Sequence, residues 1–264
     1  MKPFLKWAGN KYKLTDRIKS LLPVGNRLIE PFVGSGAVFL NTDYAHYYLS
    51  EINPDLISLF NTLKNQGEKF IDACREYFIA EYNTEDKYYF LRDLFNTTRD
   101  PRIFLYLNKH CFNGLCRYNK NNQFNTPFGK YKKPYFPEKE MRFFYDKAQQ
   151  AEFVCEDFAL SMDKAVVGDV IYCDPPYAVL SKTSNFTSYH KDAFGEPEQR
   201  LLANKILECQ ARGIPVIVSN QNTDLIKDIY KTAEIIAFDV QRYISAKSES
   251  RHKVEEILGV FQCK

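Results

Sequence analysis

The residues best suited to chemistry are Asp174, Pro175, Pro176 and Tyr177, which follow directly on the apolar run GDVIYC. Consecutive prolines carry no backbone N–H and fix φ, so they cannot prolong a strand and instead give its end a rigid backbone. A carboxylate beside a stationary carbonyl makes two acceptors of fixed spacing. Such a pair suits an exocyclic amine on a nucleobase, whose lone pair is conjugated with the ring and weakly nucleophilic; holding both N–H groups biases that nitrogen toward tetrahedral geometry. Asp174 Oδ and the Pro175 carbonyl are the candidate acceptors, and Tyr177 offers a face on which a base can stack. The plainer alternative is a stiff strand-ending turn with a buried tyrosine.

Two further acids close predicted strands. NRLIEPF reads as a buried strand running into VGSG, and HYYLSEIN as another closed by Pro54, so Glu30 to Gly36 and Glu51 fall at strand ends. Gly34 and Gly36 permit a tight turn and close backbone approach to a ligand. The third glycine position of a G-x-G-x-x-G fingerprint is Phe39, however, which disfavours a nicotinamide dinucleotide. Glu51 is placed to accept the paired ribose hydroxyls of a nucleoside cofactor, with a solvated strand-end acid as the alternative.

The net charge of +3 is unevenly placed. Lys109 to Arg142 holds eight Lys/Arg against two Glu, a local +6, and the rest of the chain sums to −3. The same segment interleaves Phe112, Tyr118, Phe124, Phe128, Tyr131, Tyr135 and Phe136 with Asn and Gly. Phosphate neutralisation combined with base contact requires such a composition. Arg117 has the chemistry for a bidentate contact to guanine, and Leu115 and Pro127 for a thymine methyl. A charged, solvated surface is the alternative.

The elements that must position these residues follow from periodicity. LTDRIKSLL predicts a helix stopped by Pro23, AVFLNTDYA the start of a second, and LISLFNTLK a third. Residues 68 to 110 read as helical, and 111 to 137 as loops or a short hairpin. From about residue 152, EFVCEDF, DVIYCDPP, PVIVSN, EIIAFDV and VEEILGVF read as strands, with helices over 196 to 212 and near 223 to 231. Strand, glycine turn, helix and strand in that order predict an α/β fold with a doubly wound, Rossmann-like sheet and ligands outside the carboxyl ends of its strands. An inserted, mainly helical part over 57–145 is expected to divide that sheet domain into 1–56 and 146–264.

At 264 residues the chain is long enough to bury a sizeable core, and an apolar share of 45% marks it as globular. No apolar run approaches a membrane span, and MKPFLKWAGNKYK lacks a signal-peptide hydrophobic region, so a cytoplasmic protein is expected. The seven cysteines form no C-x-x-C pair and the four histidines are dispersed, so free thiols and no metal site are expected, with Cys173 a small buried hydrophobe.

The blocks FLKWAGNK, EPFVGSGAVF, YLSEINPDLI, LNKHCFNGLCRYN, FNTPFGKYKKPYFP, CDPPYAVLS and NFTSYH, in this order, span nearly the whole chain. Together they resemble the DNA adenine-N6 methyltransferases that use S-adenosylmethionine, in the alpha arrangement and D-P-P-Y type, and look most like the Dam-type enzymes that methylate adenine in GATC. The resemblance implies that Trp7, Lys11 and the stretch Glu30, Pro31, Phe32, Gly34, Ser35, Gly36 contact the cofactor. It further implies that Glu51 holds the ribose, Phe158 meets the cofactor's adenine ring, Asp157 also binds the cofactor, and Asp174 lies at the junction with the target base. It identifies residues 57–145 as the target-recognition region: Lys6, Leu115, Arg117, Pro127 and Tyr131 as readers of double-stranded DNA, and Phe112 as the aromatic that enters the duplex where the adenine leaves it. Asn113, Asn119, Lys130, Lys132 and Lys133 are expected on phosphates. The target adenine must leave the helix to meet a methyl donor, and Asn185 and Tyr189 of NFTSYH are expected to close over it. The family's usual W-A-G-G-K is WAGNK in this chain, and Glu51 stands where Asp is more frequent. Asn tolerates left-handed backbone better than most residues, so an undisturbed loop is expected at Asn10. Methylation of RNA adenine or a protein amide nitrogen, and a non-catalytic DNA-binding relative, are the alternatives; no obligate protein partner is evident.

Overall fold

Among the residues that the computed structural model describes, 1–177, 194–241 and 253–262, seven strands form one sheet. They are β1 (Arg27–Glu30), β2 (His46–Glu51), β3 (Ala151–Cys155), β4 (Asp169–Cys173), β5 (Val216–Gln221), β6 (Glu234–Gln241) and β7 (Lys253–Phe261), in the spatial order β3-β2-β1-β4-β5-β7-β6. The first five are parallel, and β7 runs antiparallel between β5 and β6. Strand order reverses between β1 and β4, where an open α/β sheet leaves a crevice at its carboxyl edge. Ile29 pairs beside Ile171, so Glu30 and Asp174 leave the sheet at that same edge.

The helices are α1 (Thr15–Leu21), α2 (Pro54–Gln66), α3 (Glu68–Arg75), α4 (Glu85–Thr98), α5 (Pro101–His110), α6 (Glu138–Ala148), α7 (Phe158–Asp163), α8 (Glu196–Ala211) and α9 (Asp224–Ile229). On one face of the sheet Met162, Leu202, Ile206, Ile226 and Tyr230 pack on Ile29, Ile171, Val216 and Val218. On the other, Ile18, Leu56, Leu59, Phe60, Leu63 and Phe144 cover Leu28, Leu49, Val170 and Ile217. A strand buried on both faces reads as a continuous apolar run, as DVIYC of β4 does.

Helix α2 shows how the second face is assembled. The Asn53 side chain accepts from the Asp55 and Leu56 amides, Pro54 occupies the first turn, and Gly67 at φ 52° ends the helix. Leu56, Leu59, Phe60 and Leu63 then fall on one stripe against the sheet. The apolar core of α3, α4 and α5 continues from that stripe through Phe70, Leu91, Phe95 and Phe104.

The helix expected from AVFLNTDYA is instead a single 3₁₀ turn over Phe39–Asn41. Asn41 Nδ2 donates to the Ala37 carbonyl and Thr42 Oγ1 to the Val38 carbonyl, local bonds that compete with a helical ladder. The hairpin expected within 111 to 137 is present as two antiparallel bridges, Cys111 with Phe128 and Tyr118 with Phe124. Among the described residues no helix is long and apolar enough to cross a membrane.

Phe144 joins these parts, with ring centroids 5.1 Å from Phe4, 5.9 Å from Phe39, 4.8 Å from Phe60 and 5.5 Å from Phe153. Phe144→Ala is expected to cost about 3–5 kcal/mol, measured as a lowered urea midpoint at an unchanged denaturant slope.

Candidate active site

The chain leaves β4 at Asp174 and turns through Pro175 and Pro176 to Tyr177. Lys11 Nζ lies 2.8 Å from Asp174 Oδ1 and donates to Tyr177 Oη at 2.9 Å and to the Gly9 carbonyl at 3.1 Å. Only 5% of the Lys11 side chain is exposed. Burial alone would lower its pKa, but the carboxylate of Asp174, with Glu256 nearby, outweighs that and holds the ammonium above its ordinary value. Burial, chiefly, raises the Tyr177 phenol, so the ring carries its proton.

Behind the elbow, Ser219 Oγ donates to Asp174 Oδ1 at 2.8 Å and lies 3.0 Å from Tyr172 Oη. Gln199 Nε2 donates to the Pro176 carbonyl at 2.9 Å, while its Oε1 accepts from Asn220 Nδ2 and Tyr230 Oη.

The glycine loop meets the elbow through the N-terminal segment. Gly34 and Gly36 have φ of 48° and 75°, and a Cβ on Gly34 would stand 3.1 Å from the Trp7 indole, so a glycine is required there. Asn10 Nδ2 donates to Ser35 Oγ at 2.6 Å and its Oδ1 accepts from the Tyr12 amide at 2.7 Å. The left-handed residue of WAGNK is Gly9, φ 74°, and not Asn10. The departure from the family pattern is therefore accommodated by hydrogen bonding and not by the tolerance expected of Asn for left-handed backbone.

Glu30 is 2% exposed and its Oε1 has no hydrogen-bond partner among the described residues; burial first, then the charge of Asp174, pushes its pKa well up. Burial likewise raises Glu51, opposed by the amides of Gly34, Asn53 and Ile52, which places its carboxylate against the glycine loop. Pro31 is buried, and Phe32 stacks on Phe158 at 5.3 Å with Phe194 edge-on to both. Asp157 caps α7 by accepting from the Ala159 amide. An acceptor oxygen that is buried and unpartnered among the described residues, beside left-handed glycines and a strand-end acid, fits a nucleoside cofactor that brings hydrogen-bond donors.

Of the residues expected to meet DNA, Lys6, Phe112, Asn113, Pro127 and Tyr131 are joined by contacts. Lys6 exchanges two backbone bonds with the Asn108 side chain, and its Nζ sits 4.0 Å over the Tyr131 ring. Tyr131 Oη accepts from the Asn113 amide at 3.0 Å. A Cβ on Gly114 would stand 2.4 Å from Lys6 Cβ, so only glycine allows that approach. Phe112 is 48% exposed, and its amide donates to the carbonyl of exposed Pro127. Arg117 is exposed with its guanidinium aimed by Asn125, which accepts from Nε at 2.7 Å and from Nη2 at 3.1 Å. Leu115 is half-buried, and Lys132 and Lys133 are exposed. Lys130 lies 3.8 Å from Glu85. The Asn119 oxygen is committed to its own turn, accepting from the amides of Asn121 and Gln123. Asn185 and Tyr189 lie outside the described residues.

Sequence reasoning missed Ser219, Gln199, Asn125 and Glu256. Ser219 follows the apolar run VIV inside β5, too ordinary a pattern to mark it, and the others carry no signal either. A cleft of about 530 Å³, lined by Asn26, Arg27, His46, Gln150 and Asp169 among others, opens at the opposite, amino end of the parallel strands. None of the unpartnered buried polar atoms lines it, so the chemistry is placed at the carboxyl edge. Among the described residues no group of His, Cys, Asp or Glu could hold a metal ion.

A doubly wound sheet whose carboxyl edge carries a glycine loop, a strand-end acid and a D-P-P-Y elbow defines a methyltransferase of the Rossmann-like class. The sequence pattern of the D12 class N6 adenine-specific DNA methyltransferases matches residues 7–244, and the chain belongs to that family. It is 49% identical to a DNA adenine methylase of Serratia marcescens over 98% of both chains. It is also 49% identical to one of Escherichia coli strain K12, over 98% of this chain and 95% of that protein. A putative methyltransferase of Escherichia coli, yhhF, is a weak structural likeness: TM-score 0.40, 11% identity, covering 96% of this chain and 85% of that one. The protein is thus a DNA adenine methyltransferase acting with an S-adenosylmethionine-type cofactor.

Asn10→Gly removes the ties from WAGNK to Ser35 and to Tyr12. Calorimetric titration with S-adenosylhomocysteine is expected to show affinity weakened by about 3- to 10-fold, the worth of one net hydrogen bond.

Proposed function

We propose that the protein transfers a methyl group from S-adenosylmethionine to N6 of an adenine flipped out of duplex DNA within GATC, as a cytoplasmic, DNA-associated enzyme. One observation carries the reading: Lys11 of WAGNK bonds both Asp174 and Tyr177, while Asn10 bonds Ser35, so three segments expected at one site meet at one point. When bound, the cofactor supplies a methyl carbon on positively charged sulfur, open to direct in-line attack, so no covalent enzyme intermediate is required.

Trp7, Lys11, Glu30, Pro31, Phe32, Gly34, Ser35, Gly36, Asp157 and Phe158 hold that cofactor, with Glu51 on its ribose. Asp174 and the Pro175 carbonyl accept the two N–H bonds of the adenine amine and direct its lone pair; Pro176 stiffens the turn and Tyr177 stacks on the base. Asp174 helps carry away the proton that N6 loses. No metal takes part.

Residues 1–56 and 146–264 perform catalysis, and 57–145 recognise the target. Arg117 contacts guanine, Leu115 and Pro127 meet a thymine methyl, and Lys6 and Tyr131 complete the readout. Phe112 enters the stack where the adenine leaves it. Asn113, Asn119, Lys130, Lys132 and Lys133 neutralise or position phosphates, and Asn185 and Tyr189 close over the flipped base. The Asn125 clamp on Arg117 supports its assignment, because a guanidinium already oriented loses less freedom on binding.

Incubation of unmethylated genomic DNA with the protein and donor, followed by long-read mapping of methyladenine, is expected to mark GATC; methyl incorporation into RNA or peptide in preference to duplex would sink the proposal. Asp174→Ala is expected to abolish turnover with duplex affinity retained. Arg117→Ala is expected to relax selectivity at one base pair by about 1–3 kcal/mol, whereas Lys132→Ala should weaken all sequences alike and reduce the salt slope by about one. Equal effects of these two variants on cognate and non-cognate duplexes would show that base readout and phosphate contact have been confused.

A further inference from the structure

Two prolines deprive the elbow of backbone donors, so from Pro175 to Pro176 its main chain can only accept hydrogen bonds and the donors must come from elsewhere. The described structure supplies that tie from side chains on β5 and α8. Both donors to the Asp174 carboxylate, Lys11 Nζ and Ser219 Oγ, fall on Oδ1. A carboxylate oxygen has two lone-pair sites, so Oδ1 is filled and, among the described residues, Oδ2 is left to accept, on a side chain that is 20% exposed. The single proton of Ser219 is committed to Asp174, which obliges Tyr172 to donate to Ser219. The result is a directed chain, Tyr172 to Ser219 to Asp174, in which Tyr172 is 2% exposed and Ser219 fully buried. Gln199, also fully buried, fixes the next carbonyl of the elbow with Nε2, and Asn220 and Tyr230 hold its oxygen, so the carboxamide cannot rotate.

We propose that Ser219 and Gln199 are positioning residues for methyl transfer: Ser219 locks the Asp174 carboxylate so that Oδ2 meets the adenine amine, and Gln199 anchors the elbow backbone that carries the Pro175 carbonyl. The inference rests on the reading of Asp174 as an acceptor of that amine. Neither residue touches DNA or cofactor, so their loss acts on the chemical step and leaves binding alone.

The test is single-turnover methylation of a cognate duplex, run beside titrations of duplex and of S-adenosylhomocysteine and a thermal melt of each variant. Ser219→Ala is expected to slow methyl transfer by about 10- to 100-fold, the range of one hydrogen bond to a charged group, with both affinities unchanged within about twofold. Ser219→Thr keeps the hydroxyl and is expected to recover most of the rate. Gln199→Glu, which keeps the acceptor for Asn220 and Tyr230 but removes the donor to Pro176, is expected to lower kcat with KM unchanged. A wild-type rate in Ser219→Ala, a rate loss matched by lost affinity, or no recovery in Ser219→Thr would overturn the positioning role. Asp174→Ala serves as the reference: its inactivity beside an active Ser219→Ala overturns this inference alone, whereas its activity overturns the reading of the elbow itself.

Discussion

The structure of the site depends on one buried ion pair, Lys11 with Asp174. Taking an ammonium out of water costs several kcal/mol, and a single carboxylate recovers that only with good geometry and further hydrogen bonds. Lys11 has both: a 2.8 Å contact with Asp174, donation to Tyr177 and to the Gly9 carbonyl, and the nearby charge of Glu256. Such a pair contributes little net stability against an apolar substitute, but removing one member strands the other at roughly 3–5 kcal/mol. Its value is in specification. Lys11 and Tyr177 are 166 positions apart, and the lysine holds the segment beside the glycine loop in register with the elbow. A methyl donor and an acceptor amine must meet within a fraction of an ångström, and this contact sets the distance between the two halves that carry them.

Around that lysine the molecule keeps more acid than the fold needs. Glu30 Oε1 and Glu256 Oε2 are buried without hydrogen-bond partners among the described residues, where most polar groups of similar burial are bonded. Stable folds rarely leave such atoms unsatisfied, and where they do the partner commonly arrives from outside. Glu30 is pushed toward its neutral form by burial and by Asp174, so the crevice does not carry the full repulsion its three carboxyl groups suggest.

How far this was legible depends on whether a residue's role is set locally. Strand β4 could be read because both its faces are buried, making DVIYC a continuous apolar run, and the elbow because two prolines have few other uses after such a run. The position of β7, antiparallel between β5 and β6, could not, since pairing between distant strands leaves no mark in either. The turn at Phe39–Asn41 replaced a predicted helix because Asn41 and Thr42 bond local carbonyls, a competition that apolar periodicity does not register. Lys11 and Asp174 were legible as types. Ser219 and Gln199 were not, because a serine in a strand and a glutamine in a helix are ordinary until the fold brings them to Asp174 from 45 positions away and to Pro176 from 23.

The N-terminal stretch from Phe4 to Lys11 shows why recognition and catalysis are hard to separate in this fold. Phe4 is buried among Phe60 and Phe144; two residues later Lys6 is held by Asn108 and reaches over Tyr131 on the recognition surface. Trp7 then lies against Gly34, Asn10 bonds Ser35, and Lys11 pairs with Asp174. Eight consecutive residues thus touch the core, the surface around Tyr131, the glycine loop and the D-P-P-Y elbow. Only four residues separate Lys6 from Lys11, and Phe4 holds the segment at its other end because a close-packed aromatic cluster does not slide. The surface around Tyr131 and the elbow at Asp174 are therefore joined through one short stretch of chain.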